Sequence, residues 1–200
     1  KRFKLLNLIL KGYLTIIRGT PAMIQLLIIY YVIFASSAID KVIVAIDTDG
    51  RQYPGIPLNW DTTYEKDAKL VQDQIKIMQK IAEEHLPSAG KDISNPGTLG
   101  TLEMLLEASG VGASVELEKI PRNEDVDWDM WLRAYPGAAF VMTAPEENAQ
   151  AIIDALSPYS FEVAVIGDVI EEKKLYLSSG DEKLVLFDQN SNPVLVMNQQ

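Results

Sequence analysis

Apolar and polar positions divide the chain into a charge-free opening and a series of shorter periodic stretches. Residues 19–39 carry no formal charge, and their centre is strongly apolar apart from Gln25. Residues 41–47 (KVIVAID) are a β-branched run, which predicts a strand. Over 64–86, Val71, Ile75, Met78, Ala82 and Leu86 recur at helical spacing with charges opposite, so a long amphipathic helix is expected to bury that stripe. Thr62 and Glu65 fit a capping box for it, and 54–58 reads as loop. Leu99, Leu102, Leu105 and Leu106 predict a second helix stopped by Gly110. Ala113, Val115 and Leu117 then alternate with Ser114, Glu116 and Glu118, as a half-buried strand does.

Further along, Trp128, Trp131 and Leu132 match a short helix packed on the core. Residues 138–143 read as an apolar strand, and Thr143 with Glu146 repeats the capping-box signature, Pro145 taking the first helical position. The helix that follows buries Ala149, Ile152, Ile153 and Leu156. Residues 161–170 predict a strand broken at Gly167. A hairpin follows, 174–177 against 183–187, and 194–197 adds an edge strand. Strands and helices alternate irregularly and end in a hairpin. The expected class is α+β, a two-layer sandwich of helices on a mixed sheet, preceded by an apolar N-terminal helix. The chain divides into 1–40 and 41–200.

Charge sharpens this division. Net charge is −10, yet before Asp40 stand Lys1, Arg2, Lys4, Lys11 and Arg18 with no acid, so the remainder is more acidic than the whole. A domain of that sign repels a nucleic-acid backbone, and nucleic acid is not an expected partner. The absence of cysteine excludes disulfides, a thiol nucleophile and cysteine-bound zinc or iron–sulfur.

Candidate chemistry concentrates in residues 90–121. A polar, glycine-bearing loop, Asp92-Ile93-Ser94-Asn95-Pro96-Gly97-Thr98, opens the second helix. Such a loop offers backbone N–H groups and the positive end of the helix dipole, where a phosphate sits well. A capped helix without ligand has the same pattern. Neither GxxxxGK[ST] nor GxGxxG is present. Asp47-Thr48-Asp49-Gly50 is a turn whose two carboxylates are weak candidates for magnesium, with a solvated turn as the plainer reading. Asp61 and Thr63 read as cap chemistry. His85, the single histidine, lacks a second histidine one turn away and is expected at the surface or in a cap; HExxH chemistry is excluded. GxSxG is absent as well.

The order of motifs from Asp-Ile-Ser through Glu107-Ala108-Ser109-Gly110-Val111-Gly112 and Ile120-Pro121, then Ala138 to Thr143 and Ala164-Val165-Ile166-Gly167-Asp168-Val169, resembles the C-terminal half of the aminoimidazole ribonucleotide (AIR) synthase superfamily, over about 47–188. That superfamily includes selenophosphate synthetase, thiamine-monophosphate kinase and a hydrogenase-maturation dehydratase. The nearest branch is similar to AIR-synthase-related proteins that include a methanogenesis-marker group. The resemblance implies the superfamily's C-terminal fold, ATP and magnesium as cofactors, a small phosphorylated substrate or nucleotide as partner, and a homodimer. It places ATP, magnesium and most catalytic groups in an N-terminal domain. The C-terminal domain closes the cleft, and its candidate ligand residues carry over as Asp92, Ser94, Asn95, Gly97 and Thr98. Asn-Pro-Gly-Thr stands here where the family carries a Gly-Gly type of turn. The globular part is cytoplasmic by this resemblance and inactive alone.

A second resemblance covers 1–46. Arg18-Gly19-Thr20-Pro21 followed by Gln25-Leu26 and Ile29-Tyr30-Tyr31 looks like the polar amino-acid family of ABC-transporter permeases. A helix over 19–39 spans roughly 30 Å, one bilayer core, and bases only on its leading side predict that end in the cytoplasm. Three readings stand: a membrane span, a signal-type segment ending near Ser36 and Ala38, and a buried core helix. One span cannot enclose a solute pathway. Joined pieces of two families meeting near 42–47, a permease fragment, and a non-catalytic docking module with an apolar N-terminus are the competing accounts.

Overall fold

The computed structural model describes residues 40–195. The apolar segment 19–39, the greater part of the permease resemblance and the outer half of the expected strand 194–197 lie outside them. Among the described residues no helix is long and apolar enough to cross a membrane.

The organising element is β1 (Asp40–Ile46). Its β-branched residues face both ways, Val42, Val44 and Ile46 to one side and Ile43 and Ala45 to the other, and all five are 0% exposed. A strand buried on both faces reads as a continuous apolar run, which is what KVIVAI is. It lies inside a seven-stranded sheet of order β10-β9-β5-β8-β1-β7-β4. The other strands are β4 (Ala89–Asp92), β5 (Gly112–Glu116), β7 (Ala139–Pro145), β8 (Glu162–Ile170), β9 (Lys174–Ser179) and β10 (Glu182–Asp188). β5 and β9 run parallel and every other neighbouring pair in this sheet is antiparallel, so the sheet is mixed. Residues 40–46, which the permease resemblance also claimed, are thus the centre of this sheet. The junction near 42–47 does not hold, because a joint there would cut the strand with the most complete burial.

Among the described residues four α-helices pack with the sheet: α1 (Ala68–Glu83), α2 (Gly97–Ser109), α3 (Trp128–Arg133) and α4 (Glu146–Leu156). Ile77 and Ile81 of α1 and Ala149, Ile152 and Leu156 of α4 form one core with Ile43, Ala45, Met142, Ala144 and Phe161. The crossover β4–α2–β5 runs across the sheet in the opposite lateral sense to β1–α1–β4. Right-handed connections therefore put α2 on the other face, over Val42, Val44 and Val141. The expected α+β class with helices on a mixed sheet is observed, with helices on both faces.

Local details depart from the periodicity. α1 buries Gln74, Ile77 and Ile81, and Ile75 is 66% exposed. The helix is turned by about one residue from the predicted stripe, because Gln74 finds partners inside. Its N-cap is Asp67, which accepts from the Lys69 N–H at 2.6 Å; Thr62 and Glu65 form no box. Thr143 lies within β7, and Pro145 caps α4 without a side-chain bond, leaving Glu146 and Glu147 to meet the helix dipole. The stretch read as loop at 54–58 contains a hairpin of β2 (Arg51–Tyr53) and β3 (Ile56–Asp61), turning at Pro54-Gly55 with Gly55 at φ 82°, and β3 pairs in parallel with the short β6 (Tyr135–Pro136). β8 is continuous through Gly167, with a register shift opposite Val42/Ile43 that leaves Ile166 as the extra residue.

Candidate functional site

β1 and β4 are both antiparallel to β7, and β1 and β5 are both antiparallel to β8. The carboxyl ends of β4, β1 and β5 therefore point the same way. The segments that follow them, 93–96, 47–50 and 117–127, emerge at one end of the sheet, where β7 and β8 begin. Three loops meet there, which makes that end the candidate ligand site.

Asp47 stands at its centre with its side chain 0% exposed. The carboxylate pairs with Lys66, accepts from Gln74 Nε2 at 2.7 Å and from the Asp49 N–H at 3.2 Å. Lys66 in turn donates to the Asp49 carbonyl at 3.0 Å. Gln74 also donates to the Tyr159 carbonyl at 3.0 Å, so the inward glutamine is fully used. Thr48 donates its hydroxyl to Glu162, and Asn123 Nδ2 donates to the Thr48 carbonyl at 3.1 Å. The weak magnesium candidates resolve into different roles: Asp47 holds a lysine, and the Asp49 side chain is 89% exposed. Among the described residues no group of three or more His, Asp or Glu is placed to hold a metal ion. His85, just past the end of α1 at φ 55°, donates its N–H to the Ala82 carbonyl.

The predicted ligand turn adjoins this loop through β7. The Asp47 N–H donates to the Ala138 carbonyl and the Ile93 N–H to the Ala139 carbonyl, each at 2.9 Å. Asp92 and Asn95 are exposed and Ser94 is half-buried. Asp92 lies 3.4 Å from Lys91 Nζ. Gly97 and Thr98 are buried. Gly97 adopts φ 70°, and a Cβ there would fall 2.0 Å from the Leu132 carbonyl oxygen, so α3 packs directly on the start of α2. Three N–H groups of the turn are already spent: besides Ile93, Ser94 donates to Thr101 Oγ1 at 3.2 Å and Gly97 to the Ser94 carbonyl at 2.8 Å. The open parts of the turn are Asp92 and Asn95, with Ser94 half-exposed between them; Ile93 is buried and the helix start is closed.

On the other flank of the 47–50 loop lies a cleft of about 560 Å³ between the segment 118–128 and the start of β8. Ile120 and Phe161 line it, 3% and 4% exposed, with Trp128, Arg122, Glu118, Glu124 and Glu162 around them. Sequence reading took the acidic stretch 122–129 as a solvated face. It had no signal for Glu162, because an acid at a strand end looks like any surface residue.

Glu103 was also missed. It sits in the middle of α2 with 0% exposure, and neither carboxyl oxygen has a hydrogen-bond partner among the described residues. Burial pushes its pKa up to about 7, with Glu107 adding to the rise and Gln189 opposing it. Glu107, one turn on, accepts from the N–H groups of Val194 and Leu195.

Comparison with known proteins places this geometry. An uncharacterised protein of Methanocaldococcus jannaschii is 48% identical over 149 residues, 74% of this chain and 46% of its own length. The chain spans about half the length of the curated relatives it matches. Thermotoga maritima PurL complexed with ATP has a similar fold, with a TM-score of 0.58 at 18% identity, over 75% of this chain and 25% of that one. Escherichia coli HypE, a hydrogenase maturation protein, gives 0.56 at 17% identity, over 80% and 53%. The permease resemblance gains no support from these matches. The family described as "AIR synthase related protein, C-terminal domain" matches residues 39–179, a range that includes β1 through β9. Covering well over half of the chain, that match assigns it: the protein belongs to the AIR synthase related family, of which it carries the C-terminal domain.

Proposed function

We propose that this chain is the C-terminal half of an ATP-dependent enzyme of the AIR synthase and selenophosphate synthetase kind. It closes a cleft that holds a phosphate-bearing substrate or nucleotide with magnesium, and it does not catalyse alone. The observation that carries the reading is that Asp92 and Asn95 are exposed and Ser94 half-buried at the end of the sheet where β4, β1 and β5 finish, in a domain of this family. Asp92, Ser94 and Asn95 are the ligand-facing residues. Gly97 and Thr98, buried against α3, hold the turn in shape. The half-length match to relatives and the PurL likeness with bound ATP support a missing nucleotide-binding half.

The test is a chimaera. The part of the M. jannaschii relative outside the match is joined to this chain, and ATP turnover is measured for the chimaera and for the chain alone. We expect turnover only in the chimaera, falling at least about tenfold with Asn95→Ala or Asp92→Asn, the scale of losing one positioned polar contact. Turnover by the chain alone, or a chimaera indifferent to both substitutions, contradicts the proposal.

A further inference from the structure

The segment 188–195 lies beyond the stretch that the family match covers, and its backbone ties it back onto α2. The N–H groups of Val194 and Leu195 both donate to the Glu107 carboxylate, at 2.7 and 3.0 Å. Nearer its start, the Gln189 N–H donates to the Lys173 carbonyl at 3.2 Å, and Gln189 Nε2 donates to the Val111 carbonyl, just past α2, at 2.8 Å. Between these anchors the N–H groups of Ser191 and Asn192 donate to the Asp188 carbonyl. Residues 190–194 are exposed, so hydrogen bonds rather than apolar burial hold this strap. A segment held in that way opens at a smaller free energy than a buried core.

Glu103, one turn before Glu107 on α2, is 0% exposed and meets Gln189 of the strap. Neither of its oxygens has a hydrogen-bond partner at bonding distance among the described residues. The charge that bears on it is the like charge of Glu107. The strap offers it an uncharged amide, and the carboxylate of Asp188 takes the Asn190 N–H. Among the described residues the elements packed on α2 bring charges already matched. Arg133 of α3 pairs with Asp129, Lys91 of β4 with Asp92, and Glu116 at the end of β5 with Lys119; β7 carries no charged residue. A carboxyl group shut off from water beside another carboxylate favours its neutral form.

We propose that 188–195 is a proton-controlled strap, which closes over Glu103 of α2 when that side chain is neutral and loosens when it is charged. Burial lifts the Glu103 pKa to about 7 from the ordinary 4.5. Between those values the closed strap keeps a proton that the open form releases. Closure is therefore most favourable below about pH 4.5, weakens by up to about tenfold per pH unit as pH rises, and levels above about 7. The proposal does not rest on the reading of the turn at 92–95, and either can fail without the other.

Amide hydrogen exchange of the labelled full chain between about pH 5 and 8 reads this equilibrium. Protection factors, corrected for the intrinsic pH dependence of exchange, are followed at Val194 and Leu195, with the amides of β1 as the reference for global unfolding. We expect the strap amides to be less protected than those of β1 and to lose protection about tenfold per pH unit up to about pH 7. Glu103→Gln, similar in size and uncharged, should abolish that slope. Glu107→Gln, which exchanges a charged acceptor for a neutral one, should lower strap protection about fivefold. The parent slope decides the matter even if a variant fails to fold. Strap protection that stays level with pH in the parent, a slope that persists in Glu103→Gln, unchanged protection in Glu107→Gln, or strap amides that exchange only together with β1 would overturn the proposal.

Discussion

Asp47 and Glu103 are two buried acids with opposite circumstances. Asp47 has a lysine, a glutamine amide and a backbone N–H for its oxygens. Removing it leaves the buried Lys66 ammonium with the Asp49 carbonyl but no charge partner inside, and Gln74 with the Tyr159 carbonyl alone; breaking a buried pair by deleting one partner costs about 3–5 kcal/mol. Asp47→Ala should lose stability of that order in urea denaturation, and a loss below about 1 kcal/mol would show the pair to be solvated. Neither Glu103 oxygen has a hydrogen-bond partner at bonding distance among the described residues, and burial lifts its pKa to about 7 from the ordinary 4.5. Between those values the folded chain keeps a proton that the unfolded chain has released. Stability is therefore fully present below about pH 4.5, falls as pH rises, and levels above about 7. The total is about 3–4 kcal/mol, at 1.36 kcal/mol per pKa unit. Glu103→Gln should flatten this slope and be more stable than the parent at pH 8. Parallel pH profiles for the two proteins would show that Glu103 titrates normally.

At the scale of the element, α2 decides how the turn can be used. Its apolar residues Leu99, Leu102, Leu105 and Leu106 are buried as their spacing predicts, and Gly110 ends it at φ 72°. Its first turn is governed by Gly97, which has a left-handed backbone and no room for a Cβ beside Leu132. Gly97→Ala combines strain at positive φ with a clash on backbone. It should cost roughly 2 kcal/mol or more, read as a lower melting temperature and a displaced α3. An unchanged melting temperature would mean that α3 does not rest on that turn. These features show what sequence made legible. Apolar periodicity located α2, β1 and β7. It misplaced the buried face of α1, because a glutamine satisfied by Asp47 and Tyr159 counts as polar in any apolar pattern. The hairpin at Pro54-Gly55 was readable from turn chemistry and was passed over for want of long strands. That α3 closes the start of α2 involves residues over thirty positions apart, and no local signal carries it.

For the whole described unit, the central strand and the crossovers bring the 47–50, 93–96 and 117–127 segments to one end. The turn, the Asp47 network and the acidic cleft are neighbours there through topology rather than sequence. The family resemblance carried by motif order from Asp92 to Val169 agrees with the match over 39–179. The division near 42–47 was lost because burial on both faces of β1 cannot be told from a membrane-adjacent apolar run by hydropathy alone. In the proposed function Asp92, Ser94 and Asn95 face the ligand and the chemistry needs a second half. The most direct measurement follows the backbone amide signals of this chain, labelled within the chimaera, during titration with ATP and magnesium. Saturable shifts centred on Asp92, Ser94 and Asn95, lost in Asn95→Ala, are the predicted result; amides there that stay still while others move, or a chain that shows no saturable response, would contradict it.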